Sequence, residues 1–310
     1  MRRAAMSDAL LLDALVAERD RETGAAPSPT PQVWQQPFPL VPWHPANAPI
    51  IPNELVRCAL FRVADPASKR ERFTRDRLPV QAARDGYIEY TGEELRQDDR
   101  RVFMHALHLE GETPGSAIFR PRKFCHDIGW GTSNAAYEKL LDTLSRLKAT
   151  SLRMFIPRLG RPGVEVSLIA RLEFFPGSKP VRVWFDREIA ELFRDQHYTR
   201  ILSLYEDRLT RRSYLASWLL GFYASHREPV AFPLERLQKL CGDHTPLKEF
   251  RRKTALALQQ LVDVKFLESF AIQDGSVTCQ RAAAPPESRN CPTAIASLLH
   301  RNRAVTPPAG

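Results

Sequence analysis

Residues 232–280 constrain the fold more than any other stretch of this chain. Thr245 to Val264 spaces Leu247, Phe250, Thr254, Leu258, Leu261 and Val262 at the i, i+3/i+4, i+7 interval of an amphipathic helix. The opposite side carries Lys248, Glu249, Arg252, Gln259 and Gln260, with Arg251 and Lys253 on its shoulders. Four cations thus fall within residues 248–253, near the helix N-terminus. Upstream, Pro233 to Leu240 predicts a shorter helix with Leu234, Leu237 and Leu240 on one face. Cys241-Gly242-Asp243-His244 is the turn between them; Gly242 suits a helix C-cap, and Asp243 or Thr245 suits the next N-cap. Two β-like runs follow, Lys265 to Ile272 and Ser276 to Arg281, joined at Gln273-Asp274-Gly275 by a tight hairpin turn. Helix, turn, helix, hairpin is the layout of a winged helix, whose second helix enters the major groove of DNA. A basic helix face is equally the mark of an ordinary solvated surface. The rest of the chain bears on that choice.

Charge is the first such observation. Lys and Arg number 45 against 36 acids, a net charge of +9. Residues 1–51 carry four cations and five anions, and residues 282–310 three and one, so residues 52–281 hold 38 against 30. This balance favours a polyanionic partner, although alone it also fits an anionic membrane surface. Cys58, Cys125, Cys241, Cys279 and Cys291 are scattered, odd in number and without a CxxC pair. A zinc site or disulfide framework is therefore not expected, and a reducing cytoplasm is the simplest location. No apolar run of about 18 residues exists to span a bilayer. Met1 to Ala17 fits a short amphipathic helix better than a signal peptide, because Asp8 and Asp13 interrupt its leucines.

Residues 1–51 read as a flexible leader, proline-rich from residue 18 onward, in which Trp34, Phe38, Leu40 and Trp43 stand out. These large apolar residues either pack back on the body or form a docking motif for a partner. Ordered structure is expected near Leu55, with strands at Val56 to Val63 and Tyr87 to Tyr90. Thr91-Gly92-Glu93-Glu94 has capping-box spacing and predicts a helix to about Leu109. Short strand Ser116 to Phe119, helix Arg122 to Ile128 and helix Ser133 to Ala149 follow. The last turns Tyr137, Leu140, Leu141, Leu144 and Leu147 inward, and Asn134, Lys139, Asp142 and Arg146 outward. Strand-like runs come next, at Ser151 to Ile156, Val164 to Phe175 and Val181 to Phe185. Arg158, Gly160, Arg161 and Gly163 fill the loop between the first two, which reads either as a wing lying on phosphates or as a plain solvated hairpin. After a helix capped by Asp186, a connecting stretch from His197 to Asp207 leads to a helix from Thr210 to Ser225. The order helix, helix-turn-helix, hairpin therefore occurs twice. The expected class is α+β, with tandem winged-helix domains over 52–200 and 201–281 and a flexible, Pro/Ala/Ser-rich tail over 282–310 that includes a possible short helix at Thr293 to Arg303.

Several strings, taken together and in order, resemble the TrfA family of plasmid replication initiators. They are Tyr90 to Arg96 with Asp98-Asp99, Asp127-Ile128-Gly129-Trp130, Leu144 to Thr150, His197-Tyr198-Thr199, Ser225 to Pro229 and Cys241-Gly242. The resemblance covers about residues 51–281. It implies a tandem winged-helix protein that binds iteron repeats in double-stranded origin DNA as a monomer in equilibrium with a homodimer formed through the first domain. It also implies opening of an adjacent A·T-rich region and recruitment of the host initiator DnaA and the replicative helicase DnaB. Carried over, the DNA-binding residues are Thr245, Lys248, Arg251, Arg252 and Lys253 in the second domain. Their counterparts in the first are Ser133, Asn134, Lys139 and Arg146, with Arg158 and Arg161 in the wing. The family's leader can carry a Gln-Leu-Ser-Leu-Phe-like motif that docks on the polymerase sliding clamp. Here the aligned segment is Gln35-Gln36-Pro37-Phe38-Pro39-Leu40, with two prolines in place of the leucine spacing.

No catalysis and no cofactor are expected. A GxxxxGK[ST] phosphate loop is missing. His105 and His108, three apart on a predicted helix, lack the His-x-His spacing of a nicking metal site. The non-enzymatic rival is a dimeric winged-helix transcriptional repressor, which would use the same DNA-binding surface.

Overall fold

A computed structural model describes residues 41, 42, 44–65, 67–81, 86–112, 115–160, 162–174, 180–209, 213–226 and 231–283. In chain order the strands are β1 (Ile50–Pro52), β2 (Phe61–Arg62), β3 (Arg72–Pro79), β4 (Tyr87–Glu93), β5 (Leu95–Arg96), β6 (Ala117–Phe119), β7 (Ser151–Phe155), β8 (Val164–Val166), β9 (Arg171–Glu173), β10 (Val181–Trp184), β11 (Tyr198–Arg200), β12 (Phe232–Pro233), β13 (Leu267–Gln273) and β14 (Ser276–Arg281). The α-helices are α1 (Asn53–Val56), α2 (Gln97–Glu112), α3 (Pro121–Asp127), α4 (Asn134–Lys148), α5 (Arg187–Glu191), α6 (Ser203–Arg208), α7 (Tyr214–Ala224), α8 (Leu234–Cys241) and α9 (Leu247–Asp263).

Two modules share one topology. In the second, α7, β12, α8, α9, β13 and β14 follow one another, and the sheet order is β12-β14-β13. In the first, α2, β6, α3 and α4 lead to a sheet of order β6-β10-β9. Each sheet thus places its last strand between the strand that follows the first helix and the strand that starts the hairpin. This is the winged-helix arrangement, found twice.

Between α4 and β9 the first module carries an extra hairpin. β7 and β8 pair with each other and, through β7–β4, join a separate four-stranded sheet of order β3-β4-β7-β8. The loop holding Arg158 and Gly160 therefore closes this added sheet and is not the wing of the module. The expected run from Val164 to Phe175 splits between two sheets at the buried pair Leu168 and Ile169.

Other expectations also change. Thr91 to Glu93 is strand, and the helix begins only at Gln97. Long-range pairing of Tyr90 with Leu152 and Thr91 with Ser151 outweighs the local capping-box pattern. Gly92, at φ +151°, sits so close to the Tyr90 ring that a Cβ would lie 2.7 Å from its hydroxyl. Residues 56–63 form the end of α1 and the short β2, because Leu55, Val56, Cys58, Ala59, Leu60 and Phe61 are all buried rather than alternating. Order starts before Leu55: Ile50 and Ile51 are fully buried, and β1 pairs with β11. The predicted helices over 1–17 and 293–303, and the aromatics Trp34, Phe38, Leu40 and Trp43, lie outside the described residues.

The core runs through both modules. Its hinge element is α7, where Leu215, Ala216, Trp218, Leu219, Leu220, Gly221, Phe222 and Tyr223 are all buried. A helix apolar all round must be covered on every side. Here α9 covers one side, and α1, α2 and β11 of the first module cover another. At Gly221 the first module packs tightly against this helix. A Cβ there would meet Arg100 Nη1 at 2.7 Å and Val56 Cγ2 at 2.8 Å.

Candidate nucleic-acid interface

The third helix of the second module, α9, is built as its periodicity predicts over most of its length. Phe250, Thr254, Ala257, Leu258 and Leu261 are buried. Leu247 is the exception, 40% exposed at the first helical position, where the helix has not yet reached the core. Pro246 occupies the N-cap and no side chain caps it. Asp243 instead orders the turn before the helix, accepting from the Thr245 backbone N–H at 2.7 Å and from its hydroxyl at 2.5 Å. Burial pushes the Asp243 carboxyl upward, but the Thr245 hydrogen bonds and the Lys253 charge outweigh it and hold the group below the usual aspartate value. Gly242 ends α8 in the left-handed region, φ +71°, with Arg62 Cγ 2.8 Å from where a Cβ would stand.

The predicted cations are sorted by this framework. Lys248 and Arg252 are exposed on the outward face. Among the described residues nothing holds Lys248. Arg252 is clamped by Glu249 through two hydrogen bonds, 2.7 and 3.0 Å, one turn back. That clamp keeps the Glu249 carboxyl below its ordinary value and the Arg252 guanidinium above its own. Arg251 leans across to β13 and donates to the Ile272 carbonyl at 3.3 Å. Lys253 folds back onto the turn, 3.3 Å from Asp243 and 3.4 Å from the Thr245 hydroxyl. Lys248, Arg251 and Arg252 thereby line one side of a shallow groove whose other side is Phe270, Ala271 and Ile272 of the hairpin. The hairpin turn is tight: Asp274 and Gly275 both have positive φ, +48° and +70°, as a two-residue turn requires. Leu256, 54% exposed, faces outward beyond the cations.

The first module differs. Ser133 caps α4, accepting from Ala136 N–H at 3.2 Å, and Asn134 is exposed beside it. Lys139 pairs with Asp98 and lies 3.9 Å over the Trp130 ring. Arg146 pairs with Asp99 at 2.6 Å and Glu93 at 3.2 Å, and Asp99 is fully buried. Burial alone would lower the Arg146 pKa; these two carboxylates raise it instead. Arg158 donates to the buried Glu54 at 2.6 Å and to the Leu192 carbonyl at 2.7 Å. Lys139, Arg146 and Arg158 are each tied to a carboxylate of their own chain: Lys139 stays exposed on the outward face, whereas Arg146 and Arg158 are largely covered. Periodicity reports which face a residue is on, not what reaches it from the next helix. Arg161, Gln35, Gln36, Phe38 and Leu40 lie outside the described residues.

The hairpin in the wing position of the first module is the one between β9 and β10. Phe174 is 57% exposed there, and Arg171 and Arg182 both stack on Trp184 at 4.9 Å. The signal was present in the alternation of Val181 to Trp184, but the glycines at 160 and 163 drew the wing to the wrong hairpin.

Residues 32–281 match the family model for the TrfA protein. A curated relative, the plasmid replication initiator protein TrfA of Escherichia coli, is 32% identical over 251 residues, which is 79% of this chain and 64% of the relative. The chain thus spans a little under two thirds of that relative's length. Among solved structures, domains 2 and 3 of RctB align with a TM-score of 0.51 at 14% identity, over 76% of this chain and 99% of that one. The Pi initiator protein in complex with iteron DNA aligns at 0.46 with 12% identity, over 59% and 91%. With the family model covering four fifths of its length and the doubled winged-helix topology in place, the chain belongs to the TrfA family.

Proposed function

We propose that this protein is a plasmid replication initiator that binds repeated sites in double-stranded origin DNA, with α9 as its major-groove reader. The observation that carries the reading is the exposed cationic start of α9, where Lys248, Arg251 and Arg252 stand beside the β13–β14 hairpin. Arginine donates two parallel hydrogen bonds to a guanine edge, and lysine neutralises phosphate. Family membership supplies the origin context. Opening of an A·T-rich tract requires no bond-making by the protein. DNA strained by bound molecules stores deformation energy, and flexible A·T steps release it. Recruitment of DnaA and DnaB, a monomer–dimer equilibrium and clamp docking through residues 35–40 complete the proposal.

Footprinting of the purified protein on its origin, with single-strand-specific probing of the A·T-rich tract, tests it. Protection of direct repeats together with strand opening is the expected result. Protection of a single inverted repeat at a promoter, without opening, identifies a repressor instead.

A further inference from the structure

Four arginines are buried among the described residues: Arg57, Arg62, Arg96 and Arg100. Arg62 has Asp76, Arg96 has Glu94 and Arg100 has Glu206. Arg57 has no carboxylate partner. Its guanidinium donates only to neutral oxygens of Ser225, the hydroxyl at 2.7 Å and the backbone carbonyl. The nearby Glu54 gives its hydrogen bonds to Arg158 and His197 and acts on Arg57 only through its charge. A buried cation whose hydrogen bonds go only to neutral groups is costly unless an anion completes its shell.

Arg57 opens onto a cavity of about 620 Å³ at the seam of the two modules. Arg200 of β11 and Arg281 at the end of β14 line the same cavity. Arg281 is likewise without a carboxylate; it donates to the His226 carbonyl at 3.3 Å and lies over Phe266. Desolvation lowers the pKa of both Arg57 and Arg281, outweighing the opposing influence of Glu54 on the first and of Tyr205 on the second. Asp195 is the one acid in the lining, against three arginines and two histidines, His197 and His226. Arg281 and the Asp274–Gly275 turn stand at opposite ends of β14, about 20 Å apart at ~3.4 Å per residue. The cavity is therefore separate from the cationic start of α9.

We propose that this seam cavity is a phosphate-binding site, formed by Arg57, Arg200 and Arg281, which takes a phosphoryl group from both modules at once. Guanidinium pairs match the oxygens of a phosphate, and the volume admits pyrophosphate or a nucleotide as well as a single backbone phosphate. An anion seated there stabilises the packing of one module on the other, since it bridges residues of each.

The test is thermal melting of the full chain with inorganic pyrophosphate against chloride at equal ionic strength. Arg57 is too buried to substitute safely, so the variant is R200Q/R281Q, with K248Q/R252Q as the comparison. Pyrophosphate is expected to raise the Tm of the wild type and of K248Q/R252Q by roughly 2–4 °C at saturating concentration, and to leave R200Q/R281Q unmoved. No shift in the wild type, a shift that survives R200Q/R281Q, or one abolished by K248Q/R252Q overturns the site. Phenylglyoxal modification of Arg281, with and without duplex DNA, separates the sources. Protection by the duplex assigns the phosphate to DNA, and reaction at the unprotected rate assigns it to a free anion. Because melting needs no origin DNA, failure here leaves the proposed major-groove role of α9 standing.

Discussion

At the scale of single residues, the cations of α9 differ in what restrains them. Lys248 is unrestrained, Arg252 is held by Glu249, and Arg251 is braced on the Ile272 carbonyl. Bracing fixes a donor in place, so Arg251 suits base reading better than Lys248 does. R251A is expected to weaken binding to the cognate repeat by about tenfold to a hundredfold while hardly changing affinity for random duplex, and gel-shift titration against both DNAs checks this. E249Q removes a charge that competes for Arg252 and repels phosphate. Its affinity for any duplex should rise roughly two- to fivefold at low salt and converge with wild type at high salt. Asp243 gives a pH-dependent contribution. Its folded pKa lies below the ordinary 3.8, so its stabilisation is complete above that pH and is lost as the pH falls through the folded value. D243N should therefore melt earlier than wild type at neutral pH, and the gap between them should shrink in acid below about pH 3.8.

At the scale of elements, Gly221 and α7 govern how the modules meet. G221A places a methyl group against Arg100 and Val56, a clash expected to cost about 1–3 kcal/mol in urea denaturation even though alanine is the better helix former. The same scale shows what was legible beforehand. The second module could be read in order from its residues, because α8, α9 and the β13–β14 turn are each specified by local patterns: leucine spacing, a glycine C-cap and a two-residue turn. In the first module β6, α3, α4, β7, β10 and the Asp186-capped α5 could be read as well, but not β3 or the full extent of β4. Its β3 is polar and mostly exposed along Arg72 to Arg77, so no apolar alternation marks it as a strand. Its β4 extends through Thr91 to Glu93 because Thr91 pairs with Ser151 and Gly92 and Glu93 pair with Phe73 and Arg72, which no local rule detects. The site shows the same division. The α9 cations were visible as a cluster, whereas the pairing of Lys139, Arg146 and Arg158 depends on Asp98, Asp99 and Glu54 arriving from other elements.

At the scale of the whole molecule, one core spans both modules. Urea unfolding followed by tryptophan fluorescence, which includes Trp184 in the first module and Trp218 in the second, should superimpose on unfolding followed by circular dichroism, in a single transition. Two separated transitions would mean that the seam is weaker than its burial implies. If six to ten phosphates are neutralised, affinity for the origin should fall by roughly 10³–10⁵ between 50 and 200 mM salt.

The apolar helix α7 has a consequence for how such proteins change over generations. A transcription factor with two readers on a tether can adapt to a longer gap between half-sites by gaining a few residues of string. Here the two modules are packed on a common beam, so insertions in their surface loops leave their separation unchanged. If both modules read DNA as proposed, new repeat spacings must come from re-cutting the beam itself, around Gly221, and the repeat interval and the protein's interior are expected to evolve in step.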